Sequence, residues 1–323
     1  MANFVTVFKK ELADHLGSKR FIILFVLILA LATMSAYQGA TSIKTNMSQG
    51  AISSVSFGGA NFLSIFTSAF AGLPFTYLMM YFGPVIGLAL GFDAINKERS
   101  SGSLSVLLTQ PIYRDAVVNG KFLAGISALS LMAVSTVGIM VGLAIPIVGF
   151  GPTAAEVSRI IAFTLLTILY LGFWLALSLL FSTVFKKTTT AMVTTVFTWI
   201  FFLFVITILA SFIANAIVPI QQIQFVTSSS GQFDQSQTQL YMQRIEQRSS
   251  LQNAIQSISP SYLYSSACSI ILSGYSVYVS PLSSFNPNQG IEASWPQFTA
   301  ITVGMVVCFI ASYILFLRKE IRP

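Results

Sequence analysis

Six stretches of this chain hold no Asp, Glu, Lys, Arg or His and run for roughly the length of a bilayer-crossing helix: 21–37, 73–92, 122–150, 160–185, 190–218 and 298–317. A helix needs about 20 mainly apolar residues to cross the hydrocarbon. In lipid, a segment must also satisfy its own backbone hydrogen bonds, which leaves helices or closed barrels. A barrel would alternate polar and apolar residues over strands of about ten residues. These blocks are continuously apolar, so the chain reads as an all-α integral membrane protein with six transmembrane helices. Composition agrees: 54% of residues are hydrophobic and 8% charged, against about a quarter charged in soluble domains. The first block follows some 20 residues of charged sequence and lacks a convincing small-residue cleavage site, so a removed signal peptide is not expected.

A seventh apolar region, 262–285, is broken by serines, Gly274 and Pro281. It reads as a short re-entrant or surface helix on the outer side.

Basic residues set the orientation. Six spans put the N-terminus, the loops 93–121 and 186–189 and the C-terminus on one side. That side carries Lys9, Lys10, Lys19, Arg20, Lys97, Arg99, Arg114, Lys121, Lys186, Lys187, Arg318, Lys319 and Arg322, which is 13 of the 17 basic residues. Both termini are therefore expected in the cytoplasm, with the chain multi-pass in the plasma membrane. A seventh span would reverse the C-terminal cluster. The net charge of +7 then anchors helix ends to anionic lipid, and nucleic acid is not an expected partner. Two polar loops fall outside, 38–72 and 219–297. The second is rich in Ser and Gln, and its part 240–258 has near-helical apolar spacing. That part fits an amphipathic helix over the membrane, with a disordered loop as the alternative.

The rest of the sequence narrows the chemistry. No G-x-x-x-x-G-K-[ST] run is present, so ATP phosphates are not held in the P-loop manner. His15 is the only histidine, and Cys268 and Cys308 lie in separate apolar segments. Neither a catalytic residue nor a metal site is expected. Ion-coupled carriers keep ionisable groups in the membrane interior, whereas Asp93, Glu156 and Arg159 all sit at block ends.

Two features point to a soluble partner. Residues 1–18 read as an interfacial helix, with Phe4, Phe8, Leu12 and Leu16 on the apolar face and Lys9, Lys10, Glu11 and Asp14 opposite. The loop after the second block reads GFDAINKERSSGSLSVLLTQPIYRDAVVNGKFLAG. Leu104, Leu107 and Leu108 form one short helical stripe, Pro111 ends it, and charges flank it. A short helix with an apolar face and charged rim suits a groove on another protein, and a solvated connector on the bilayer is the plain alternative.

The pattern D-x-x-x-x-E-R-x-x-G-x-L-x-x-L-L-x-x-P, here Asp93, Glu98, Arg99, Gly102, Leu104, Leu107, Leu108 and Pro111, continues through Arg114, Gly120 and Lys121. It resembles the permease subunit of ABC-2 type ABC transporters, in particular the branch with the nitrous-oxide-reductase maturation permease. The order of interfacial helix, six spans and a long outer loop before the last is similar over the whole chain. The resemblance implies one permease domain over 1–323 that pairs with a separate cytoplasmic ABC ATPase, usually two of each, as a permease homodimer or heterodimer. ATP and Mg would bind the partner. Residues Glu98 to Arg114 would form a coupling helix docked on the ATPase. Export is the direction the family mostly takes.

Gly83, Gly87 and Gly91 in the second block, and Gly138 and Gly142 in the third, form small-x-x-x-small faces that suit close helix contact. Pro84 and Pro146 offer kinks. The competing readings are a partner-free channel or secondary carrier, and a membrane scaffold or enzyme with an outer active site. The outer loop 219–297 offers only Asp234, Glu246 and Glu292 for the latter.

Overall fold

A computed structural model describes residues 2–48, 62–70, 73–97, 114–219, 235–273 and 289–318. The described chain is almost wholly helical. It divides into two compact units, one drawn from 1–197 and 264–323, the other from 198–263.

The larger unit begins with α1 (Ala2–Leu16) and α2 (Lys19–Ser48). The turn at Gly17 and Ser18 separates them, and Ser18 Oγ accepts the Phe21 N–H at the start of α2. A short helix α3 (Ser64–Thr67) and a two-strand hairpin, β1 (Ala69–Phe70) with β2 (Leu73–Pro74), lead into α4 (Phe75–Gly91). Then come α5 (Arg114–Val148) and α6 (Ala154–Val184). Next is α7 (Thr188–Ile200), which a π-helical turn, Phe201–Val205, joins to α8 (Ile206–Ile217). The remaining helices are α9 (Gln235–Gln256), α10 (Pro260–Ser273), α11 (Gln289–Ala293) and α12 (Trp295–Arg318).

Among the described residues, five helical stretches are long and apolar enough to cross a membrane: Lys19–Ser48, Asp115–Val148, Ala154–Val184, Thr188–Ile217 and Trp295–Arg318. The second apolar block forms the shorter α4, 17 residues or roughly 26 Å at 1.5 Å per residue. Apolar side chains cover the outside of these helices, with Val193 67%, Phe197 66% and Val303 61% exposed. A surface of that kind suits acyl chains as solvent. The chain is a multi-pass membrane protein.

One helix carries the core of the larger unit. Most of the apolar stretch of α6 is buried, against a third or less in the other long helices. A capping box starts it: Thr153 Oγ1 accepts the Glu156 N–H, and the Glu156 carboxylate accepts the Thr153 N–H. Four backbone donors would otherwise stay unpaired at such an end. Just before it, Gly149 ends α5 at φ +88°, a left-handed conformation that glycine adopts without Cβ strain.

The glycines of α4 face α6. A Cβ on Gly83 would lie 2.9 Å from Leu171 Cδ2, on Gly87 2.8 Å from the Leu171 carbonyl oxygen, and on Gly91 2.7 Å from Ser178 Cβ. Pro84 removes the donor that the Met80 carbonyl would use, and Tyr170 of α6 donates its hydroxyl to that carbonyl at 2.9 Å. Ser178 donates to the Leu88 carbonyl at 3.0 Å. Another face of α6 takes α12, through Gly172 against Met305, Gly304 against Phe173, and Thr183 against Ser312. By contrast, a Cβ on Gly138 or Gly142 of α5 would meet no heavy atom of the described residues within 4 Å.

Two parts of the expected outer loops are ordered and packed. Residues 38–48 prolong α2, and Phe62, Leu63, Ile65 and Phe66 are fully buried beside it, so the polar loop is shorter than 38–72. The Phe62 N–H is held by Glu156 at 2.7 Å. In the second loop, α10 covers Pro260–Ser273, and Gly274 and Pro281 lie outside the described residues. Tyr264 of α10 stacks on Tyr170 at 4.3 Å and shares a hydrogen bond with Thr167 at 3.1 Å. Both partners lie midway along α6, so α10 reaches into the middle of the bundle. In the smaller unit, α8 lies against α9, with Gln252 donating to Ser211. Ser259 donates to the Phe202 carbonyl in the π turn, where the helix hydrogen-bond register is interrupted. The 240–258 reading as a helix thus meets α9.

Replacing Gly87 with Ala places a methyl against a backbone oxygen that cannot yield, so the chain should lose about 1–3 kcal/mol. Gly138→Ala meets open space and should leave the midpoint unchanged or slightly raised. Thermal unfolding of the two variants in one detergent checks the difference.

Candidate functional site

The loop that carries the D…ER…G…LL…P pattern runs between the end of α4 and the start of α5. Glu98, Arg99, Gly102, Leu104, Leu107, Leu108 and Pro111 lie outside the described residues, as does the Arg114 side chain, although α5 begins at Arg114. The pattern's two ends are described, and each is tied to the N-terminal helices.

At the first end, the chain leaves α4 through a helical turn, with Lys97 N–H bonded to the Asp93 carbonyl. Ser182 of α6 accepts the N–H groups of Ile95 and Asn96 at 3.1 and 3.3 Å. Asp93 takes a 2.9 Å charged hydrogen bond from Arg20, at the start of α2. The Arg20 guanidinium also lies 5.6 Å from the centre of the Phe92 ring, a cation–π distance.

At the second end, α5 begins eight residues before the expected Phe122, so Gly120 and Lys121 are helical rather than in a loop. A Cβ on Gly120 would lie 2.7 Å from Val7 Cγ1, so the glycine lets α1 lie directly on α5. One turn further along α1, Glu11 pairs with Lys121 at 3.0 Å, both side chains being nearly buried. The sequence puts Glu11 on the polar face of α1. In the structure the buried positions are Val7 and Glu11, and Phe4, Phe8, Leu12 and Leu16 are half-buried beside them. The ridge that packs is therefore 7–11–15, next to the one the aromatic spacing suggests. The available signal was the acid itself, four residues from an apolar Val and matched by the lysine after Gly120.

Burial pushes the Glu11 carboxyl up, but the Lys121 ammonium, through charge and hydrogen bond, with Lys10 adding, brings it below its ordinary 4.5. Burial lowers His15 from its ordinary 6.5, against the opposing pull of Glu11. Lys10 also bridges to Asp14 at 3.8 Å on the exposed side.

Between α1, the start of α2 and the end of α4 lies a cavity of about 450 Å³. Its charged lining includes Lys10, Lys19, Arg20, Lys97 and Lys121, with Glu11, Asp14 and Asp93. No group of three His, Cys, Asp or Glu among the described residues is placed to hold a metal ion.

The ABC-2 family transporter proteins match this sequence over residues 5–321. The chain belongs to that family. Two curated relatives align over part of it. The probable ABC transporter permease protein NosY of Pseudomonas aeruginosa is 29% identical over 156 residues, 48% of this chain and 46% of the relative. The NosY protein of Stutzerimonas stutzeri is 29% identical over 166 residues, 51% and 49%. The chain thus spans about half the length of the curated relatives it matches. The resemblance carried by the loop 93–121 holds for the family as a whole. In this ABC-2 protein the outer residues of that pattern, Asp93, Gly120 and Lys121, are packing and pairing residues of the bundle.

Removing one partner of a buried pair strands the other charge, so Glu11→Gln or Lys121→Gln alone should cost about 3 kcal/mol. The double change Glu11→Gln with Lys121→Met should recover most of it. Acid should weaken the fold in two steps. The unfolded chain takes up a proton on His15 that the folded one resists, so stability declines as pH falls below 6.5. The Glu11 contribution is present above 4.5 and is lost as pH falls through its depressed value. Unfolding midpoints against pH check this, with His15→Asn flattening the first step.

Proposed function

We propose that this chain is the membrane-spanning permease subunit of an ABC-2 type ABC transporter, driven by ATP hydrolysis in a separate nucleotide-binding subunit. The family match over 5–321 carries the reading. In this reading α4 is a sixth span despite its length, both termini are cytoplasmic in the plasma membrane, and α1 lies at the cytoplasmic interface. Two permease chains, alike or different, pair around the pathway, and transport runs outward. ATP and Mg belong to the partner, and this chain hydrolyses nothing itself.

The geometry supports a route for force. Residues Glu98 to Arg114 form the surface that meets the ATPase in this proposal. A displacement there acts on Asp93 and on Lys121. Through Arg20 and Glu11 it acts at once on α2 and α1, and through Ser182 it acts on α6. Charged hydrogen bonds of this kind transmit direction well because they hold both ends in a narrow geometry.

Affinity purification of the tagged chain from its native host should bring down a P-loop ATPase. The Leu107→Asp/Leu108→Asp variant should stay folded and lose it. Unchanged capture by that variant removes the coupling assignment, and ATP-independent transport by the purified chain in liposomes favours a partner-free carrier.

A further inference from the structure

A proline inside a helix leaves the carbonyl four residues back without its N–H donor, and away from water such a group is costly unless another donor replaces it. In α4 the group is the Met80 carbonyl. The replacement comes from a different helix, as the Tyr170 hydroxyl of α6 at 2.9 Å. A Ser or Thr of α4 itself would keep the kink satisfied in any arrangement of the bundle. A donor on α6 does so only while its side chain stands in one place. We infer that Tyr170 is a conformational pin: it holds the Pro84 kink of α4 at one angle, and the Tyr264 ring of α10 holds Tyr170, so α10 controls the angle at which α4 delivers Asp93.

Tyr170 and Tyr264 are both fully buried. Their rings stack at 4.3 Å with planes 15° apart, and Trp174 meets Tyr170 edge-on at 6.3 Å. The Tyr264 hydroxyl is fixed in turn by Thr167, one turn before Tyr170 on α6. The Tyr170 ring therefore has Tyr264 behind it, and its hydroxyl stays on the Met80 carbonyl only while that ring fills the space. Withdrawal of Tyr264 frees the side chain to turn to another rotamer, and the carbonyl loses its donor.

The pin sits where α4 divides. On one side of Pro84, Phe75 packs with Phe66 and Phe163 at ring distances of 6.4 and 6.5 Å. On the other, Ser178 holds the Leu88 carbonyl, and Ser182 holds the N–H groups of Ile95 and Asn96. The two halves are thus fastened separately, and the hydrogen-bond ladder between them is interrupted. Asp93 lies nine residues beyond Pro84. A change of about 10° at the kink moves it by roughly 2 Å, at 1.5 Å rise per residue. That is enough to open its 2.9 Å bond to Arg20. The link concerns this chain alone, so its failure leaves the proposed function standing.

The test reads amide hydrogen exchange and thermal unfolding of the full chain in phosphatidylcholine nanodiscs, with no ATPase present. Tyr170→Phe keeps the ring and removes the hydroxyl. It should speed exchange over 85–97 about fivefold, the scale of one hydrogen bond, and leave α12 at the wild-type rate. Pro84→Ala returns a backbone donor to the Met80 carbonyl, so by itself it should slow the same segment about fivefold. In that background Tyr170→Phe should change exchange by less than about twofold. Tyr264→Leu keeps the Tyr170 hydroxyl but removes the ring behind it. It should speed exchange over 85–97 as much as Tyr170→Phe does, and the two together should do no more than either alone. Unchanged exchange in Tyr170→Phe overturns the pin. If that variant does not fold, an unchanged rate in Pro84→Ala does the same. An equal effect of Tyr170→Phe with and without Pro84 overturns the kink as what it holds. Effects of Tyr170→Phe and Tyr264→Leu that add overturn the control by α10. Exchange raised evenly over all helices, with a lowered midpoint, marks general loss of packing and overturns the inference as a whole.

Discussion

At Gly87, the space where a side chain would start is already filled by the Leu171 carbonyl, and at Gly91 by Ser178. Helices α4 and α6 therefore meet almost backbone to backbone. In lipid there is no hydrophobic gain from pressing two apolar helices together, so close van der Waals fit and interhelical hydrogen bonds must do that work. The contact supplies both. It lets the Tyr170 hydroxyl reach the carbonyl that Pro84 leaves without a donor, and lets Ser178 reach the Leu88 carbonyl. Because α6 also receives α5, α10 and α12, the seating of α4 on it sets the level at which the loop after α4 leaves the bundle.

That level matters at the charged end. Ser182, one turn beyond Ser178, takes the N–H groups of Ile95 and Asn96, and Asp93 is thereby placed against Arg20. On the other flank, α1 can approach α5 because Gly120 has no side chain, and this brings Glu11 to Lys121. Two pairs separated by long stretches of sequence thus frame the loop 98–113, one half-exposed and one buried. The buried pair is costly to break and adds little net stability over an apolar replacement. Its value is positional: it fixes which turn of α1 meets which turn of α5.

Much of this site was legible before the fold was known, in a specific sense. Asp93, Gly120 and Lys121 stood out as the ends of a pattern, and the flanking charges were visible. Their partners were not. Arg20 read as one more basic residue at a helix end, and Glu11 as a solvated acid, because amphipathic spacing over 15 residues leaves two adjacent ridges nearly equivalent. The glycine faces show the same limit. Gly83, Gly87 and Gly91 look like Gly138 and Gly142 in sequence, yet the first three lie against α6 and the last two touch none of the other described residues.

The sequence by itself determined that this is a membrane protein of helices, where its apolar blocks lie, which end is basic and to which family its loop pattern leads. Hydropathy and charge are local properties, readable one segment at a time. Only the tertiary structure decided that α10 reaches mid-bundle, that Phe62, Leu63, Ile65 and Phe66 are buried with the Phe62 N–H on Glu156, that Glu11 faces inward, and that α1, α2 and α4 enclose a charged cavity. Each depends on residues dozens of positions apart meeting at a particular rotation of two helices, and that rotation is set by packing, which no single segment contains.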